Sequence, residues 1–60
     1  MKFKLEIKMD NAAFENAPTE LVRILTELST KIDMFSGIHR GWYCNLIDIN
    51  GNTVGRAEVN

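Results

Sequence analysis

Residues 2–9 alternate between charged and apolar positions. Phe3, Leu5, Ile7 and Met9 fall on one side, and Lys2, Lys4, Glu6 and Lys8 on the other. A period of two predicts a strand with one face buried and one in water. From Pro18 the period lengthens, and Leu21, Ile24, Leu25, Leu28, Ile32 and Phe35 recur at helical spacing. They occupy an arc about 100° wide on a helical wheel, the width of a core-facing stripe. A helix from Pro18 to Phe35 would be about 27 Å long and could lie across a short sheet. Trp42 to Val59 then reads as two strands joined at Asn50-Gly51, a dipeptide that favours a tight hairpin.

Local chemistry sets the boundaries. Asn16 is placed to cap the helix, Pro18 sits in the first turn where a missing N–H is harmless, and Glu20 suits the positive end of the helix dipole. Arg23–Glu27 and Glu27–Lys31 are spaced to pair along an outer flank. Gly37 is placed to end the helix in a left-handed conformation. Between the first strand and the helix, Asp10-Asn11 is turn chemistry. Residues 12–15 could form one helical turn, with Phe14 pinning it to the core.

The hairpin register decides which side chains face the helix. A two-residue turn with Asn50 and Gly51 both at positive φ pairs Ile49 with Asn52 and Ile47 with Val54. It also pairs Leu46 with Gly55, Cys44 with Ala57 and Trp42 with Val59. One face then carries Trp42, Cys44, Leu46, Gly55, Ala57 and Val59, with Gly55 and Ala57 letting the helix approach. The other carries Tyr43, Asn45, Ile47, Val54, Arg56 and Glu58. The alternative is a three-residue turn with Gly51 in a bulge.

The order strand, helix, strand, strand predicts an α+β fold, β-α-β-β. Its three-stranded antiparallel sheet has order 1-3-2, with the helix on one face and the other face bare. Both outer strands are then open edges. At 60 residues the chain is one domain near the lower size limit for independent folding. A single cysteine, Cys44, rules out an internal disulfide and suits a reducing, cytoplasmic setting. No cofactor or metal site is expected, because His39 and Cys44 lack further soft ligands at useful spacing. The first residues have no apolar core of a signal peptide, and no segment is long and apolar enough to cross a membrane.

Seven basic against eight acidic residues give a net charge of −1, which argues against a general nucleic-acid binder. Candidate chemistry is sparse. His39 with Arg40 reads as solvated loop surface, and Cys44 as a small buried side chain without a base to activate it. Asp48 reads as a brace for the turn. Although Asp48-Ile-Asn-Gly-Asn faintly suggests a calcium loop, its spacing and terminal Glu are missing. Nothing points to an enzyme.

Two surface sets remain. Lys2, Lys4, Lys8 and Arg56 would share the bare sheet face, a possible anion or nucleic-acid contact, with Glu6 and Glu58 among them as neutralising charges. Tyr43, Ile47, Ile49 and Val54 would form an apolar cluster on that same face. Ile38 and Trp42 lie nearby in a loop that a core of this size cannot fully absorb. An apolar cluster rimmed by charge is the form of a partner-binding patch.

The segments Asn11-Ala-Ala-Phe-Glu15, Glu20-Leu-Val-Arg-Ile-Leu25 and Asp48-Ile-Asn-Gly-Asn-Thr-Val-Gly55 resemble those of short proteins of phages and other mobile elements. The hairpin segment is the most specific of the three. The resemblance implies genetic context and assigns no functional residue. The apolar Met34, Phe35, Ile38 and Trp42 depart from the polar connection usual in such proteins. The combined expectation is a small non-catalytic module that binds a host protein, a defence-system inhibitor being one form, and that self-associates as a homodimer, either face to face through the bare face or edge to edge. The alternative is a nucleic-acid-binding accessory protein using the lysines.

Overall fold

The computed structural model describes residues 1–34 and 38–60. The stripe position Phe35 and the proposed helix end at Gly37 lie outside them. Strand β1 spans Phe3–Ile7, helix α1 Ala17–Met34, β2 Tyr43–Ile47 and β3 Thr53–Val59. The sheet is antiparallel throughout, with order β1-β3-β2. This is the α+β arrangement that the two periods and the hairpin signal predict.

The β1–α1 connection is more ordered than turn chemistry alone requires. Asn11 accepts a 3.0 Å bond from the Ala13 N–H and starts a single 3-10 turn, Ala12–Phe14, which buries Phe14. The Asn16 carbonyl accepts from the Glu20 N–H at 3.2 Å, so α1 begins where the capping pattern puts it. Ile24 and Leu28 are the buried centre of the helix stripe. They pack with Phe14, Leu46, Val54 and Ala57.

The hairpin corrects the predicted turn. Gly51 has φ +88°, but Asn50 does not, so the two-residue turn with both centres at positive φ is not formed. Instead Asp48 and Asn52 face each other across three residues, with Asp48 N–H donating to the Asn52 carbonyl at 2.9 Å and Gly51 N–H to the Asp48 carbonyl at 3.1 Å. Ile47 therefore pairs with Thr53, not Val54. A bulge between Leu46 and Ile47 restores Leu46–Gly55 and Cys44–Ala57 as predicted. The bulge leaves Val54 opposite no residue of β2, and its side chain is buried. Val54 thus belongs to the core and is lost from the predicted outer patch.

Gly55 serves a different neighbour from the one expected. A Cβ there would collide with the Glu6 carbonyl, so the glycine admits the backbone of β1, not the helix. Helix and sheet are also offset. Leu46, Ala57 and Val59 are buried, whereas Phe3, Leu5 and Met9 remain 48%, 44% and 41% exposed. The alternating apolar face of β1 is on the predicted side, but a single helix seated toward β2 does not cover it. Leu25 of α1 is also only partly covered, 38% exposed.

Candidate interaction surface

Two polar clusters hold the hairpin against the helix, and the exposed groups are best understood from them. Asp48 is buried and accepts from the N–H groups of Asn50 and Asn52, both at 2.9 Å, and from the side-chain amides of Asn52 at 3.2 Å and Asn11 at 2.7 Å. Burial pushes its carboxyl pKa up, but these bonds outweigh that and hold it below its ordinary value. Asp48 is thus the brace that its place before Asn50-Gly51 suggests. Its donors are amides, which leaves no calcium-loop geometry.

Glu20 is the second cluster. Arg23 grips it through Nε at 2.7 Å and Nη2 at 3.1 Å, and Glu20 Oε2 also accepts from the Ile49 N–H at 2.8 Å. The bond from Arg23 lowers the Glu20 pKa, burial opposes it, and the Ile49 N–H adds to the lowering. The Arg23 pKa is raised, chiefly by its bond to Glu20. Arg23 also reaches Glu27 at 2.9 Å, the predicted pair, and donates to the Ile47 carbonyl at 3.1 Å. The predicted Glu27–Lys31 pair is not among the ion pairs of the described residues. Lys31 turns inward, its Nζ 3.8 Å from Cys44 Sγ. Sequence reading assigned Glu20 to the helix dipole and missed this strut, although its spacing of three from Arg23 is visible in the chain.

The bare sheet face carries the charges in a checkerboard. Lys4 lies opposite Glu58, which lies opposite Tyr43; Glu6 lies opposite Arg56, which lies opposite Asn45. Lys4, Glu6, Lys8, Asn45, Arg56 and Glu58 line an open trough of about 510 Å³. The Arg56 guanidinium sits 4.2 Å above the Tyr43 ring and 3.6 Å from Glu58. Lys4, Lys8 and Arg56 therefore share the face as predicted, interleaved with carboxylates, and Lys2 extends the same alternation beside Asn60.

Of the predicted apolar patch, Tyr43, Ile47 and Ile49 are exposed, at 57%, 37% and 69%. Ile38 and Trp42 are half-buried, and Trp42 stacks on Phe3 with ring centroids 6.3 Å apart. Trp42 thus belongs with the apolar face of β1, away from the other patch residues. His39 and Arg40 are exposed, with His39 Nδ1 2.8 Å from the Arg40 carbonyl. Among the described residues, no three His, Cys, Asp or Glu side chains gather as metal ligands, and no helix is long and apolar enough to cross a membrane. No family model, curated protein or solved structure matches the chain.

Proposed function

We propose that the protein is a small non-catalytic interaction module that binds another protein through Tyr43, Ile47 and Ile49, with Ile38 at the rim. The observation that carries this reading is the exposure of three large apolar side chains along β2 and the hairpin tip. The backbone beneath them is held stiff by Asp48 and by the Glu20–Arg23 strut. A rigid, protruding apolar ridge next to charged rim groups loses little conformational entropy on binding. In its most concrete form the module is an accessory protein of a phage or mobile element that modulates a host factor, with inhibition of a defence system as the most specific version. That genetic context rests on the resemblance of the Asp48–Gly55 segment.

The alternation of Lys4, Arg56, Glu6 and Glu58 argues against the nucleic-acid reading, because each cation on β1 or β3 faces a carboxylate on the neighbouring strand. Affinity capture from bacterial lysate tests the proposal, with Ile49→Lys as the comparison. A protein retained by the wild type and lost with Ile49→Lys supports it. Retention unaffected by Ile49→Lys and Tyr43→Ala, or a salt-sensitive gel shift with nucleic acid as the sole interaction, overturns it.

A further inference from the structure

The two edges of the sheet are not equivalent. At β2, the Ile47 carbonyl is taken by Arg23 and the following Ile49 N–H by Glu20, so helix side chains close that edge near the hairpin. At β1, Lys2 exchanges both main-chain bonds with Asn60, and Lys8 N–H donates to the Val54 carbonyl. By antiparallel alternation the even-numbered residues face β3, leaving the N–H and C=O groups of Phe3, Leu5 and Ile7 pointing out of the edge. Among the described residues, no loop or side-chain hydrogen bond reaches them. Phe3 and Leu5 are also the apolar side chains that α1 fails to cover. Unpaired backbone and uncovered apolar surface coincide on one strand.

We infer that the β1 edge is a self-association surface, where a second copy of this chain pairs antiparallel to form a continuous six-stranded sheet. The charges of β1 select both the partner and the register. With Leu5 opposite Leu5 of the second copy, Phe3 meets Ile7, and Lys4 meets Glu6 on each side of the two-fold axis. Sliding by one pair in one direction sets Lys4 against Lys4. Sliding the other way sets Glu6 against Glu6 and Lys4 against Lys8. Only the Leu5-centred register is charge-complementary at its middle. Its like-charge contacts, Lys2 with Lys8 at either end, fall outside the paired Phe3–Ile7 segment. About six main-chain hydrogen bonds would form. The two-fold axis is normal to the sheet, so both helices lie on one side and the exposed Phe3 and Leu5 of the two copies adjoin.

This goes beyond the binding reading and narrows the expected homodimer from two modes, face to face or edge to edge, to one edge and one register. Of the four groups predicted to drive pairing, Val54 is in the core, and Tyr43, still 57% exposed, carries the Arg56 guanidinium on one face of its ring. The ridge of Ile47 and Ile49 stays free for a foreign partner.

Sedimentation equilibrium of the wild type at tens of micromolar should show a dimer, and a monomer overturns the proposal. Lys4→Glu alone places Glu against Glu6, and Glu6→Lys alone places Lys against Lys4, so each variant should be monomeric. Mixed one to one, the two should form a heterodimer, because both central pairs, position 4 of one chain against position 6 of the other, are then opposite in sign. Damage confined to one chain cannot be repaired by mixing, so association of the mixture reports charge pairing and not folding. With both variants folded by circular dichroism, failure of the mixture to associate overturns the register, and where either is unfolded the Leu5→Cys cross-link decides. In a Cys44→Ser background, Leu5→Cys should cross-link to a dimer on oxidation, since directly opposed residues are about 5.5 Å apart at Cα. Ile49→Cys should not. Dissociation by Ile47→Lys with Lys4→Glu still dimeric would assign the interface to the other face.

Discussion

The Glu20 carboxylate lies 2.8 Å from the backbone nitrogen of Ile49, a residue 29 positions further along the chain. The first turn of α1 is thereby fastened to the hairpin, and Arg23 completes the joint by holding Glu20 and the Ile47 carbonyl together. Removing the carboxylate leaves a main-chain donor without its acceptor and Arg23 without its principal partner. Glu20→Ala should therefore lower the melting temperature clearly more than Glu27→Ala, whose carboxylate is 56% exposed. Thermal unfolding followed by circular dichroism makes the comparison, and equal effects would show that the strut adds nothing.

Acid should loosen the same joint. Glu20 and Asp48 both have folded-state pKa values below their ordinary ones. The unfolded chain thus binds protons before the folded one does, and stability is fully present above the ordinary carboxylate pKa, about 4. It is lost as the pH falls through the lower folded values. A denaturation midpoint measured from neutral pH downward should hold and then drop below about pH 4. Asp48→Asn should be less stable at neutral pH and show a shallower acid limb.

The two hairpin glycines should fail in different ways. Gly51 has φ +88° and open space where a Cβ would go, so Gly51→Val is strained by its backbone alone. Gly55→Ala instead drives a methyl group into the Glu6 carbonyl and must push β1 away from β3. Hydrogen exchange should show lost protection in residues 3–7 for Gly55→Ala, and around the turn for Gly51→Val. Asn50→Ala should be mild, because Asn50 lacks positive φ and its N–H bond to Asp48 is retained.

Core truncations should rank by depth. Leu28→Ala should cost about 2–5 kcal/mol, a large share of the stability of so small a domain. Leu25, placed by the helical wheel at the centre of the stripe beside Leu28, is 38% exposed. Its truncation should cost about 1 kcal/mol, since a partly covered side chain loses less burial and leaves no closed cavity. Urea titration of both variants checks the order.

Periodicity along the chain determines the elements, the sheet order and most of the core, because burying an apolar face imposes a period of two on a strand and 3.6 on a helix. Phe3–Ile7 and the place of Ile24 and Leu28 in the helix stripe follow from that alone. The Leu46–Gly55 and Cys44–Ala57 pairs, which a two-residue turn predicts, stand because the bulge offsets the longer turn that forms. Asp48 could also be assigned to the turn, because short polar side chains bond to nearby backbone.

Three features were decided only by tertiary structure. Val54 turned inward because a three-residue turn and a bulge together shift its parity, and the chain can satisfy Asn50-Gly51 in either way locally. Phe3 and Leu5 stayed exposed because the lateral position of α1 is set by contacts distant in sequence, Glu20 to Ile49 and Arg23 to Ile47, which seat it over β2. One face of the Tyr43 ring is taken by Arg56, a contact made only once the strands are formed. Local pattern records which side of an element is apolar, but the lateral placement of one helix on three strands depends on contacts between distant residues. That offset leaves the β1 edge uncovered.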